Sequence, residues 1–232
     1  MVDRQALAQR LDAINQRISQ ACAQVGRKPD EVALLPVSKT FGPDAIAAMT
    51  ELGFTRFGEN RLQEVAQKAP ALTDHGVQWV IIGHVQTNKA KEVAKYASEL
   101  QSLDRLALAQ ALDNRLAAMN RTLDVLVQVK TSTEESKSGV HPDELIDFLK
   151  ALSAYRTLKV KGLMTMAVLS EDRAAVRQCF EQLRQCQQAA IAADIAGASF
   201  DRLSMGMSGD MEIAIEQGST EVRIGSALFG SR

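Results

Sequence analysis

The chain has 232 residues, of which 46% are hydrophobic and 24% charged, and its formal net charge is −1. That balance describes an ordinary globular protein and excludes the global basic field of a nucleic-acid binder, so no nucleic-acid partner is expected. The three cysteines, Cys22, Cys179 and Cys186, form no metal-knuckle pair; an odd, sparse set suits free buried thiols in a reducing compartment. The opening "MVDRQALAQRLDAIN" is charged throughout, unlike a signal peptide, and no apolar run approaches a membrane span. A cytoplasmic protein without a membrane partner is expected.

Leu7, Leu11, Ile14, Ile18, Cys22 and Val25 recur at helical spacing and predict an amphipathic helix at the start. In "EVALLPVSKTF" (31–41) apolar residues then dominate both alternating sets, the pattern of a strand covered on both faces, yet the run ends in Lys39. Strand-like runs are predicted at 32–39, 55–60, 78–83, 99–104, 124–130, 159–166, 202–206 and 221–226. Helical stretches alternate with them at 43–52, 61–68, 87–97, 105–119, 141–154, 171–192 and 209–217. Pro43-Asp44 and Pro142-Asp143-Glu144 carry the chemistry of helix starts. No linker, low-complexity tract or charge block divides the chain, so residues 1–232 are expected to form a single domain. The alternation predicts an α/β fold, a closed (β/α)8 TIM barrel with an extra N-terminal helix that caps or flanks it. A doubly wound open sheet is the alternative, and it lacks a Gly-rich dinucleotide fingerprint after the first strand.

In a barrel the chemistry gathers at the C-terminal ends of the strands. Those ends carry Lys39, Glu59-Asn60, Gly83-His84, Asp104, Lys130, Met164 to Met166, Ser204 to Gly206, and Arg223 to Ser226. "RIGSALFG" (223–230) combines an arginine on a strand with Gly225-Ser226 opening a short helical turn. Glycine allows close approach of backbone to a ligand, and Ser226 adds a hydroxyl, so an anion is expected there. Ser204, ending strand seven, would complete a phosphate cradle between the last two strands. Asp210 and Glu212 begin the helix after strand seven and would repel a phosphate at that helix start. Lys39, desolvated on an apolar rim, would have a lowered pKa and could attack an aldehyde. The alternative for Lys39 is a lysine that snorkels out of a strand end. A Schiff-base lysine, a phosphate cradle and an arginine aimed at a ring nitrogen together describe a pyridoxal phosphate site.

The series "VSKT" (37–40), "FGENRLQE" (57–64), "IGHVQTNKAK" (82–91), "SLDR" (102–105), "ESKSG" (135–139), "GLMTM" (162–166) and "LSMGMSGDMEIAIEQGSTEVRIGSALFG" (203–230) resembles the pyridoxal phosphate homeostasis protein family. That family is related to the N-terminal barrel of alanine racemase. The resemblance runs in order from about residue 32 to the C-terminus and implies a fold-type III barrel binding pyridoxal 5′-phosphate. By it, Lys39 forms the internal aldimine, and Ser204, Gly225 and Ser226 form the phosphate cradle. Arg223 meets the pyridine nitrogen, Asn60 is a cofactor-side residue, and Lys137 is a secondary attachment or exit point. Many relatives have threonine where Ser226 stands, which keeps the hydroxyl. His84 replaces or matches a variable loop position and is expected to shape the loop.

The resemblance implies a carrier rather than an enzyme: it holds the cofactor on Lys39, buffers its aldehyde and hands it to apoenzymes. A racemase-like enzyme is the alternative, and it needs an acid/base on each face of the cofactor. Tyr96 is expected inside a helix and Tyr155 at the opposite end of the barrel, and 232 residues leave no room for a second domain. A third reading is a sugar-phosphate barrel enzyme with Lys39 as its Schiff-base lysine and Glu59 and Asp104 as acids. A carrier does not need a partner subunit to complete its site, so a monomer is expected. Cys179 and Cys186, seven apart on one helix, are expected in the core.

Overall fold

Asp3 starts the first helix by accepting a hydrogen bond from the Ala6 amide at 3.0 Å, and α1 runs Arg4–Gln24. The structure, a computed structural model, describes residues 3–134 and 137–230. Leu7, Leu11, Ile14, Ile18 and Cys22 of α1 are buried, the stripe that their spacing predicts. Eight strands follow among the described residues: β1 (Ala33–Pro36), β2 (Arg56–Glu59), β3 (Gln78–Ile81), β4 (Ala97–Leu103), β5 (Leu123–Gln128), β6 (Leu158–Met164), β7 (Arg202–Ser204) and β8 (Glu221–Ile224). Helices α2 (Pro43–Glu51), α3 (Leu62–Lys68), α4 (Ala90–Tyr96), α5 (Leu106–Ala118), α6 (Leu145–Leu152), α7 (Arg173–Ala192), α8 (Met211–Glu216) and α9 (Ser226–Phe229) alternate with them. Several starts follow local chemistry: Pro43 opens α2, and Asp172 caps α7 by accepting from the Ala174 amide at 2.9 Å.

The strands are parallel in the order β1-β8-β7-β6-β5-β4-β3-β2. The last seam, between β1 and β2, is joined at Val37 and Gly58, where the Ser38 amide donates to the Gly58 carbonyl at 3.0 Å. The Ala33 and Val37 amides donate to Thr220 and Ile224 at the β8 edge. Even positions of β1 therefore face β2, and Pro36 has no N–H to give there. The β1–β2 seam is accordingly a single bridge, while the ladder of β1 with β8 ends at Pro36 and Ile224, short of Lys39. The expected (β/α)8 barrel is present, and α1 flanks it, packing on α8 and α9. Among the described residues no helix is long and apolar enough to cross a membrane.

The cysteines are buried, and burial, with the charge of Asp143, pushes the Cys186 thiol up to about 11. Within the barrel, a polar column replaces part of the apolar filling. Arg56 and Arg202, at the first positions of β2 and β7, bracket the buried Glu99 and Glu221 at 2.8 to 3.0 Å. Above them Gln101 donates to Glu99 at 2.7 Å and also to Glu221, and the next contacts lead up to the C-terminal mouth.

Candidate functional site

The mouth of the barrel opens into a cavity of about 490 Å³, within the range of small-ligand sites. Lys39, Asn60, Gly83, His84, Gln128, Lys137, Met164, Met166, Arg223, Gly225 and Ser226 line it, together with the Met207–Gly209 loop. Every strand except β4 delivers its C-terminal end or following loop to this wall. No carboxylate lines the cavity among the described residues, whereas Lys39, Lys137 and Arg223 do. Such a lining favours an anion.

Arg223 is 4% exposed and is aimed by two bonds: it donates to the Ser204 hydroxyl and to the Thr165 carbonyl, both at 2.8 Å. Burial lowers its pKa, against the charges of Glu221 and Asp210, yet a guanidinium stays charged at any ordinary pH. The direction of the hydrogen bonds below it is forced. Gln101 spends its amide protons on the two carboxylates, so its oxygen must accept from Ser204, at 2.7 Å. The Ser204 hydroxyl proton is thus used, and its lone pairs are left to receive Arg223.

Ser204 is therefore not where the cradle was expected. It is fully buried, does not line the cavity, and lies one layer beneath, under Arg223. The loop after β7 contributes Ser208 and Gly209 to the wall instead. Sequence reasoning set this loop aside because of Asp210 and Glu212. In the structure Asp210 folds back to accept from the Met207 amide at 2.5 Å, and Glu212 is engaged by Arg17 of α1 at 2.8 Å. Arg17 also donates to the Ser208 carbonyl at 2.8 Å, fixing the loop from outside the barrel. The loop's Ser-Gly pair, matching Gly225-Ser226 in composition, was the available signal.

Crowding by neighbouring atoms does not demand glycine at positions 209 and 225. A Cβ at Gly209 meets nothing within 4 Å, one at Gly225 meets only ordinary contacts, and neither has positive φ. Bare backbone facing a cavity is what a closely approaching ligand needs. Gly83 differs: a Cβ there would lie 2.2 Å from the Asn60 carbonyl oxygen, so it lets the β2 and β3 ends meet.

Lys39 stands at the cavity but is exposed, so the walls do not provide the desolvation that a rim lysine suggested. Asn60 and Lys137 line the cavity as well. His84 also does, with its Nδ1 3.6 Å from Asp104, and is thus more than a loop former. Glu59 and Asp104 do not reach the lining: Glu59 is held by Ser38 and Lys68, and Asp104 by Arg105. This removes the acid pair on which the sugar-phosphate reading depended. Burial raises the Glu59 carboxyl above the usual range despite its bonds to Lys68 and Ser38. Burial also acts on Glu64, but the Thr40 amide and Lys68 outweigh it and hold that carboxyl low. Tyr96 and Tyr155 are both absent from the lining; Tyr155 lies just before β6, at the barrel's other end.

The mouth of this parallel barrel thus turns lysine, arginine and glycine-serine loops toward one anion-favouring pocket, and the family model of the alanine racemase N-terminal domain matches residues 9–232. The pyridoxal phosphate homeostasis protein of Aquifex aeolicus is 38% identical, with 97% of each chain covered. The chain belongs to this family of pyridoxal phosphate homeostasis proteins. The structure of PipY from Synechococcus elongatus with PLP bound superposes at a TM-score of 0.79, with 31% identity over 92% of this chain and 100% of that one. Alanine racemase of Clostridium difficile shares the fold at a TM-score of 0.74 and 14% identity, and the match covers 98% of this chain and 57% of the racemase.

Proposed function

We propose that the protein binds pyridoxal 5′-phosphate in this cavity, holds it on Lys39 and releases it to apoenzymes, as part of cofactor homeostasis. The carrying observation is the lining itself: three cationic side chains, no carboxylate among the described residues, and two glycines whose bareness protein packing does not require. When bound, the cofactor supplies an aldehyde that condenses reversibly with an amine. Lys39 offers the amine. Gly225 and Ser226, joined by Ser208 and Gly209, receive the phosphate through hydroxyl and backbone donors, with Asn60 at the cofactor's side. Arg223 faces the ring nitrogen. A guanidinium there cannot give up a proton, so it leaves the ring a weak electron sink. Ser204 acts through Arg223. Lys137, across the cavity, is a second amine available during release.

The reading is non-enzymatic. The racemase alternative looks to Tyr96 or Tyr155 as its second acid/base, and neither tyrosine lines the cavity. Residues 1–232 act as one barrel domain, monomeric and cytoplasmic, with the apoenzymes as transient partners. Borohydride reduction of the loaded protein should fix the cofactor's mass on the Lys39 peptide, and Lys39→Ala should lose that label while keeping its fold. Retention of the label elsewhere at the wild-type level would overturn the assignment. Solvent-deuterium incorporation into alanine at several turnovers per second would replace the carrier with a racemase.

A further inference from the structure

Lys39 lies between two residues that are tied to one buried ammonium. Lys68, in the last turn of α3, donates to the Ser38 carbonyl at 3.0 Å, to Glu59 Oε1 at 2.7 Å and to Glu64 Oε2 at 2.9 Å. Three acceptors use all three of its protons. The Ser38 hydroxyl donates to the same Glu59 oxygen at 2.7 Å, so residue 38 is held by main chain and side chain together. On the far side of Lys39, the Thr40 amide donates to Glu64 Oε2 at 2.7 Å. Thr40 has a φ of 69°, a left-handed conformation that a β-branched residue keeps only when its surroundings impose it.

Burying this cluster is costly. Glu59 is fully enclosed, and its Oε2 has no hydrogen-bond partner. No member of the cluster touches the cavity, so its role is not ligand contact. Its bonds converge on the peptide units before and after Lys39. We infer that Lys68 is a positioning residue: through Glu59 and Glu64 it clamps residues 38 and 40, so that the Lys39 amine is presented to an aldehyde from one fixed direction. The inference rests on the reading of Lys39 as the attachment point. An exposed, flexible lysine gains most from such a clamp, because its stem has four rotatable bonds and only the root can be fixed by the protein.

Glu64→Ala tests it without stranding a charge, since the side chain is 20% exposed and the Lys68–Glu59 pair remains. A double variant, Glu59→Gln with Lys68→Met, neutralises the pair and carries the same comparison if Glu64→Ala loses its fold. Two readouts are taken: hydrogen exchange of the Thr40 amide in the cofactor-free protein, and the rate at which pyridoxal 5′-phosphate becomes borohydride-trappable on Lys39. Faster Thr40 exchange and trapping slowed about ten- to a hundredfold, at an unchanged melting temperature, are expected. Glu64→Gln, which keeps an acceptor oxygen, should recover both in part. Thr40 exchange released while trapping at Lys39 keeps its wild-type rate would overturn the clamp alone. Wild-type label on a lysine other than Lys39 would overturn the attachment reading and the clamp with it.

Discussion

Ser204 and Ser226 share a side chain and stand at the ends of neighbouring strands, yet they do different work. Ser226 is exposed and lines the cavity, whereas Ser204 is enclosed and holds Arg223. The two roles separate by ligand. If Ser226 receives the phosphate as proposed, Ser226→Ala removes a charge-assisted bond of about 1.5–3 kcal/mol, so pyridoxal phosphate should weaken while pyridoxal, lacking the phosphate, should not. Ser204→Ala leaves the Gln101 oxygen without a donor and Arg223 without one of its acceptors, and should destabilise the fold by about 1–3 kcal/mol. Its effect on binding should be equal for pyridoxal and pyridoxal phosphate, because it passes through Arg223, which on the proposed reading faces the ring. Titration of each variant with both ligands checks this. A loss confined to the phosphate ester in Ser204→Ala would return that residue to the cradle.

Among the elements, α1 is the one the barrel pattern does not require. Its apolar stripe packs on α8 and α9, the two helices that follow the glycine-serine loops. Arg17 carries this contact to the site by binding both Glu212 and the Ser208 carbonyl. The helix thus pairs a carboxylate that, on the proposed reading, would otherwise repel the phosphate, and it ties down the Ser208 main chain. Arg17→Ala should lower affinity for pyridoxal phosphate roughly three- to tenfold, the value of about one net hydrogen bond, with little change for pyridoxal. Isothermal titration of the two ligands measures the difference. Equal losses would mean that α1 supports the barrel generally and not the loop.

At the scale of the molecule, the barrel's centre is ionic where an apolar filling is usual. Glu221 is 1% exposed; burial alone would raise its carboxyl, but the charges of Arg56 and Arg202 and the Gln101 hydrogen bond hold it below the ordinary range. A carboxyl with a depressed folded pKa contributes stability that is present above its unfolded value, about 4.3 for glutamate, and is lost as pH falls through the folded value. Glu221→Gln should therefore cost about 3 kcal/mol near neutral pH, since it leaves two arginines sharing one buried carboxylate. The gap between wild type and variant should narrow on acidification below about pH 4. Denaturant unfolding across pH reads it, and a gap independent of pH would show that Glu221 acts by packing and not by charge.

The sequence by itself determined the alternation of strands and helices, the number of strands, the buried stripe of α1 and the rim positions of Lys39, Arg223, Gly225 and Ser226. These are local quantities: hydrophobic period, cap chemistry and the residue at a strand end need no knowledge of what lies opposite. A faint sign of the ionic centre was also present. Glu99-Leu100-Gln101, Arg202-Leu203-Ser204 and Glu221-Val222-Arg223 repeat polar–apolar–polar in strands expected to be covered on both faces, which places one polar set inside the barrel. What only the tertiary structure decided is which of these residues meet. Gln101 reaches Ser204 across 103 positions, Arg17 reaches Glu212 across 195, and Lys68 turns back to Ser38 across 30. A hydrogen bond's direction depends on every partner down the chain of bonds. Ser204 therefore reads as a phosphate ligand until the carboxylates beneath Gln101 are in place, and as a support for Arg223 once they are.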